Sequence, residues 1–156
     1  MLTDDMKRVV EEQRLGFVAT VCPNGTPNLS PKGTTTVWDD ETLMFADIRS
    51  PQTVANLLEN PAIEINVVDP ISRKGYRFKG TGIVLREGTQ FDELLAFYRA
   101  RGTNSPINAV VLVKIERALP LISPAYDNGA TEDEIRANWR AHFNELDTQY
   151  SQGRKR

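Results

Sequence analysis

The sequence predicts a mainly β domain, a small antiparallel barrel with flanking helices, and three features carry that reading. Short runs of alternating apolar and polar residues recur along the chain, each bounded by Pro, Gly, Asn or Asp, as in half-buried strands joined by tight turns. Helical spacing is confined to the two ends of the chain and to two crossovers between strands. The 156 residues suit one domain, which at this size buries about 68–70% of its unfolded surface. Closing about six or seven strands into a barrel removes the exposed edges of an open sheet. One domain over residues 1–150 is expected, with a disordered tail at 151–156.

Residues 3–14 open with Thr3 as a helix cap, acidic side chains in the first turn, and Met6, Val9 and Val10 on one side, the pattern of a short amphipathic helix. From Leu15 the period changes to two, and Pro23-Asn24-Gly25-Thr26 turns the chain into a hairpin. Residues 32–38 are rich in β-branched side chains and read as a strand, which Asp39-Asp40-Glu41 joins to the apolar run 43–46 in a second hairpin. Ser50 before Pro51 marks a helix start, and Val54, Leu57 and Leu58 carry the helix to Glu59, where Asn60-Pro61 ends it. Ile63, Ile65 and Val67 alternate in a strand, a polar loop follows over 69–75, and the strand 76–85 contains Gly80 and Gly82, which predict a bulge or a close backbone approach. Phe91, Leu94, Leu95 and Tyr98 place a helix over 89–101, the continuous apolar run 108–115 predicts a strand buried on both faces, and Ile135, Trp139, Phe143 and Leu146 mark a last helix.

Composition removes several function classes. No apolar run reaches the length of a membrane span and the first residues lack a signal-peptide core, so a cytoplasmic protein without membrane partners is expected. One cysteine, Cys22, and one histidine, His142, leave no cysteine-based zinc site and predict no metal. They also lie far apart in sequence, which disfavours a Cys-His nucleophile pair. Gly80-Thr81-Gly82 lacks the third glycine of a dinucleotide fingerprint and sits within a strand. With 19 basic and 21 acidic residues the net charge is −2, which argues against a broad grip on nucleic acid. Tyr76-Arg77-Phe78-Lys79 is the one run that mixes aromatic and basic residues as a single-strand binder would.

One cluster has the chemistry of a phosphate site. Ser30, Lys32, Thr34, Thr35 and Thr36 lie in one extended stretch, and Arg49, Ser50 and Thr53 surround a helix start. Free N–H groups and the positive dipole end of a helix favour an anion there, and Lys32 with Arg49 would roughly neutralise a phosphomonoester of about −1.5 to −2 charge. The alternative is structural: Ser50 caps Thr53, the threonines are strand residues, and both cations are solvated.

The ordered set of pieces is more telling. The run ATVCPNGTPNLSPKGTTTVWDDETLMFADIRSPQTVANLLENPAIEINVVD, followed by YRFKGTGIVLREG, resembles the pyridoxamine 5'-phosphate oxidase-like FMN-binding split barrels over roughly residues 5–120. That resemblance implies a split antiparallel β-barrel, FMN as cofactor and a homodimer with the flavin in a groove between subunits. It places Ser30, Lys32, Gly33 and Thr34 along one side of the flavin, Asp47 and Ile48 near the ring through their backbone, and Arg49, Ser50 and Thr53 on the phosphate. Gln52 stands where members of the family commonly carry a lysine, which leaves the charge to Arg49 and Lys32. The C-terminal arginine- and histidine-bearing substrate segment of the genuine oxidase has no counterpart, so the resemblance implies a flavin-dependent oxidoreductase or electron carrier acting on another small redox partner. Catalytic residues are not assigned. The alternatives are the same barrel binding F420 or haem, and a non-enzymatic small-barrel module that binds protein or nucleic acid.

Overall fold

The computed structural model describes residues 1–153. Its elements run α1 (Asp4–Gln13), β1 (Gly16–Val21), β2 (Pro27–Lys32), β3 (Thr36–Val37), β4 (Thr42–Asp47), α2 (Pro51–Glu59), β5 (Ala62–Asp69), β6 (Lys74–Leu85), α3 (Thr89–Ala100), β7 (Ala109–Ile122), a 3-10 turn (Pro124–Asn128) and α4 (Glu132–Ser151). Seven strands form one curled sheet in the order β2-β1-β5-β6-β7-β4-β3, every neighbouring pair antiparallel. The helix-flanked antiparallel barrel that the patterning predicts is present but not closed: β2 and β3 remain as edges, as a split barrel has.

Two apolar clusters lie on opposite sides of the β4–β7 ladder. Val10, Val18, Phe45, Ile65, Phe78 and Val111 fill the barrel, and Met44, Leu94, Tyr98, Val110 and Leu112 hold α3 against the other face. Leu43 and Phe45 thus point inward while Met44 and Ala46 point toward α3, which explains why both strands read as unbroken apolar runs. Helix α2 packs on Gly82: a Cβ there would lie 3.0 Å from Leu57 Cδ2. The neighbouring Gly80 sits at a register shift in the β6–β7 ladder, and a Cβ on it would lie 1.9 Å from the Lys114 carbonyl oxygen. The close backbone approach expected of this pair of glycines is therefore present at Gly80.

Several boundaries differ from the sequence reading. The expected strand over 32–38 is broken after Lys32, because Thr35 spends its hydroxyl on the Lys32 carbonyl (2.9 Å) and Thr34 spends its own on the Ala46 amide (2.9 Å). These local side-chain bonds favour a turn over 33–35. The loop expected over 69–75 is shorter, since β6 already begins at Lys74, and β7 runs on to Ile122 instead of ending near 115 because β6 is long enough to pair along its whole length. The expected tail begins inside α4: Ser151 closes that helix, Gln152 and Gly153 form a turn, and 154–156 lie outside the described residues.

Candidate functional site

Lys32 ends β2, and its position decides the electrostatics of the site. Only 4% of the residue is exposed, and its Nζ donates to Ser30 Oγ (2.7 Å) and to Ser50 Oγ at the start of α2. Among the described residues no carboxylate lies within ion-pair distance of it. Burial pushes the ammonium below the usual lysine range, opposed by the negative charge of Asp47. A buried cation held by neutral hydroxyls alone is short of negative charge.

The start of α2 adds further unspent polar groups. Ser50 does not cap the helix with its hydroxyl, contrary to the structural alternative above, because that oxygen accepts from Lys32. Asp47, 5% exposed at the end of β4, accepts from the Ser50 amide instead (2.8 Å), which fixes the bend between strand and helix. Pro51 supplies no N–H, so the first free amides of α2 belong to the following residues. Thr53, 1% exposed, is the one buried side chain among the described residues whose polar atom, Oγ1, lacks a hydrogen-bond partner. The orphaned Thr53 hydroxyl belongs to the first turn of the helix that Ser50 opens, and Ser50 holds the Lys32 ammonium; both kinds of group suit a phosphate.

The other expected site residues divide into two groups. Arg49 is exposed and makes no hydrogen bond or ion pair among the described residues, so its guanidinium is available to a ligand. Ile48 packs on the α3 cluster, and its carbonyl accepts from Asn108 Nδ2 (3.4 Å). Gly33 is exposed and, with Thr34, Thr35 and Thr36, lines a cavity of about 80 Å³ closed by Tyr98 and Arg101. Thr34 is committed on both sides, its hydroxyl to Ala46 and its carbonyl to the Tyr98 hydroxyl (2.9 Å). Burial holds Tyr98 protonated well above the usual tyrosine range. The structure therefore gathers Ser30, Lys32, Asp47 and Ser50 into one bonded group, while Thr34 serves as the tie between the 33–35 turn and β4.

Two details escape the sequence reading. Gln52, in the position of the family's lysine, turns back along α2 to donate to Asn56 (2.7 Å), and Asn56, fully buried, donates to Thr20 (3.0 Å), so both are structural. Arg101 bridges Glu11 (2.7 Å) and Thr36 (2.5 Å), bracing the site's turn from α1 and α3. Burial alone would raise the Glu11 carboxyl, but bonds from Thr36, the Val37 amide and Arg101 outweigh it and hold it below the usual range. Such contacts across the fold have no local signature in sequence. His142 is exposed on α4, and no group of three metal-ligating side chains occurs among the described residues. No described helix is long and apolar enough to cross a membrane.

Comparison with known proteins bears on the family and the fold. The family model described as pyridoxamine 5'-phosphate oxidase matches residues 2–122. Among solved structures, HupZ of Group A Streptococcus is 35% identical over 79% of this chain and 96% of its own, with a TM-score of 0.71. A protein of Lactobacillus delbrueckii described as a pyridoxamine 5'-phosphate oxidase is 26% identical over 76% of this chain and 93% of its own, with a TM-score of 0.66. An FMN-binding protein of Syntrophomonas wolfei shares the fold at 21% identity over 74% of this chain and 82% of its own, with a TM-score of 0.63. No curated protein matches significantly. Helix α4 lies beyond the residues that the family model covers.

Proposed function

This chain belongs to the pyridoxamine 5'-phosphate oxidase family, and we propose that it is an FMN-binding member acting as a flavin-dependent oxidoreductase or an electron carrier. The observation that carries this reading is the Lys32 ammonium, buried and hydrogen-bonded to two serine hydroxyls, with Asp47 acting on it through space and not in a direct ion pair. A phosphomonoester dianion supplies the missing charge and acceptors. Lys32, Ser50 and Thr53 would hold it with the first amides of α2, and Arg49 would close over it from solvent. Ser30, Gly33 and Thr34 would flank the cofactor on the β2 side, and Asp47 and Ile48 would border the ring through their backbone.

A bound flavin supplies the electron- and hydride-accepting ring, so this chain's residues need only bind, orient and exclude water. That division of labour accounts for a site with no paired acid and base. Two copies of the chain would form the groove, in a cytoplasmic homodimer that meets a small redox substrate or electron donor.

The test is an absorption spectrum of the purified protein followed by titration with FMN, riboflavin and F420. FMN is expected to bind, with flavin bands in the spectrum, and more tightly than riboflavin, which lacks the phosphate. A colourless protein that takes up no FMN removes the reading, and uptake of F420 alone transfers the site to a deazaflavin.

A further inference from the structure

Helix α4 is anchored at its root and bare beyond it. A capping box fixes the first turn, where Thr131 accepts from the Glu134 amide and the Glu134 carboxylate accepts from the Thr131 amide. Arg136 reaches Asp69 (2.9 Å) in the β5–β6 turn, Lys74 pairs with Glu132 (3.1 Å), Ile135 is 4% exposed, and the Arg73 guanidinium stacks on Trp139 at 3.4 Å. Past Trp139 the apolar stripe continues at helical spacing and grows more exposed: Phe143, in ring contact with Trp139 and His142, is 38% exposed, Leu146 43% and Tyr150 75%. An amphipathic stripe left largely exposed at a helix end is marginal in water unless something packs on it.

The same chain presents a second unpartnered apolar surface. On the outer face of the sheet a groove of about 350 Å³ is lined by Phe17, Leu29, Val68 and Arg77, among others, and Leu29 stands 67% exposed. Arg77 and Lys79 project from that face, paired only with Glu64, and Arg117 stands opposite Lys79 in the register. The outer half of α4 carries Glu145 and Asp147 on either side of Leu146. Both surfaces expose apolar side chains; the sheet face, where Glu64 and Asn66 also line the groove, carries more cations than carboxylates, and the stretch of α4 from Phe143 onward carries only carboxylates. The root of α4 is held by Asp69, Arg73 and Lys74, and no residue of α4 lines the groove of its own chain.

We propose that the outer half of α4 docks in the sheet groove of a second copy of this chain, with Phe143 and Leu146 against Phe17 and Leu29, and Glu145 and Asp147 near Arg77 and Lys79. The inference takes the two-copy assembly from the proposed function but makes no use of a flavin. Each copy would then embrace the other with an arm that lies beyond the part of the chain covered by the family model.

Site-directed cross-linking tests it on the full-length chain in a Cys22→Ser background. Chains carrying Leu146→Cys are mixed with differently tagged chains carrying Leu29→Cys and oxidised without flavin. The expected product is a disulfide between the two tags, formed at least about tenfold faster than with Leu58→Cys, a leucine on α2 that is 56% exposed against 67% for Leu29, and lost on adding Phe143→Asp to the arm. Equal rates with Leu58→Cys, a main product joining two Leu146→Cys chains, or a link that survives Phe143→Asp would each overturn the proposal. Because the link is read without flavin, failure here leaves FMN binding standing, and a chain that links but takes up no FMN loses only the cofactor reading.

Discussion

Replacing Lys32 by methionine separates a ligand-binding lysine from a structural one. The substitution keeps the length and apolar volume of the stem and deletes the charge, so the packing of a residue that is 4% exposed is preserved. Its two partners lose little, since Ser30 and Ser50 are only half-buried and water can replace the donor. Without ligand the variant should therefore unfold in urea at the same midpoint or a higher one, because a poorly compensated buried cation has been removed. With FMN the outcome reverses. A charge-assisted hydrogen bond to phosphate contributes about 1.5–3 kcal/mol, so the FMN dissociation constant should rise roughly 10- to 150-fold. Riboflavin affinity should stay unchanged. Fluorescence-quenching titrations of both ligands, run beside urea denaturation, read these quantities. A parallel loss of FMN and riboflavin affinity, or a fall of about 3 kcal/mol in the stability of the ligand-free chain, would refute the reasoning by showing that Lys32 holds the fold and not a phosphate.

Four further outcomes are expected. Arg49→Ala should weaken FMN binding by about 1–3 kcal/mol with no change in thermal stability, since the guanidinium has no partner in the chain; an unchanged dissociation constant takes Arg49 out of the site. Thr53→Val should stabilise the ligand-free protein by about 1 kcal/mol, because it removes a buried hydroxyl without a partner, and weaken FMN by a similar amount. Gly80→Ala should lower stability by about 1–3 kcal/mol or more, since its Cβ would fall 1.9 Å from a backbone oxygen that cannot swing aside, and urea denaturation would show it. In pH titrations of stability, Lys32 has a folded-state value below its ordinary 10.5, so the unfolded chain holds more protons between the two values and stability should rise with pH across that window. Tyr98 acts oppositely above its ordinary 10.0, so the difference between wild type and Lys32→Met isolates the lysine; no difference in slope would contradict its buried, charged state.

Strands and helices were legible wherever a single surface decides the pattern. The period-two runs at 16–21 and 62–69 each bury one face in the barrel, and α2 buries Val54 and Leu57 behind a proline start. The strand expected over 32–38 was misread because three threonines have high β propensity, while two of their hydroxyls bond locally and bend the chain. The length of β7 was misread for a different reason: beyond Ile115 its outer half alternates weakly, and it stays extended because β6 pairs with it as far as Ile122. At the site, sequence brought Lys32 and Ser50 to attention as types of residue suited to phosphate, but their bond joins positions 18 apart and depends on how β2 meets α2. The commitments of Thr34 to β4 and of Gln52 to Asn56 were likewise invisible, since a hydroxyl or amide that is spent on the fold looks the same in sequence as one left free for a ligand.

Topology explains why the unspent groups gather where they do. The sheet has two edges, β2 and β3, and the turn over 33–35 is the piece of chain that passes from one to the other. Where strands lie side by side in the curled sheet, backbone ladders consume the N–H and C=O groups that face each other. Beside the turn the ladder stops, and contact across the opening passes to side chains: Lys32 reaches from β2 to Ser50 on α2, and Thr34 reaches from the turn to Ala46 on β4. Such side-chain bonds can be exchanged for bonds to a ligand without unzipping a strand, whereas a ladder cannot. A buried ammonium and an orphaned hydroxyl each reduce the stability of the ligand-free chain, and an anion bound as proposed would return that free energy as affinity. On the proposed reading, a phosphate at this opening would be bound without unzipping any ladder of the core.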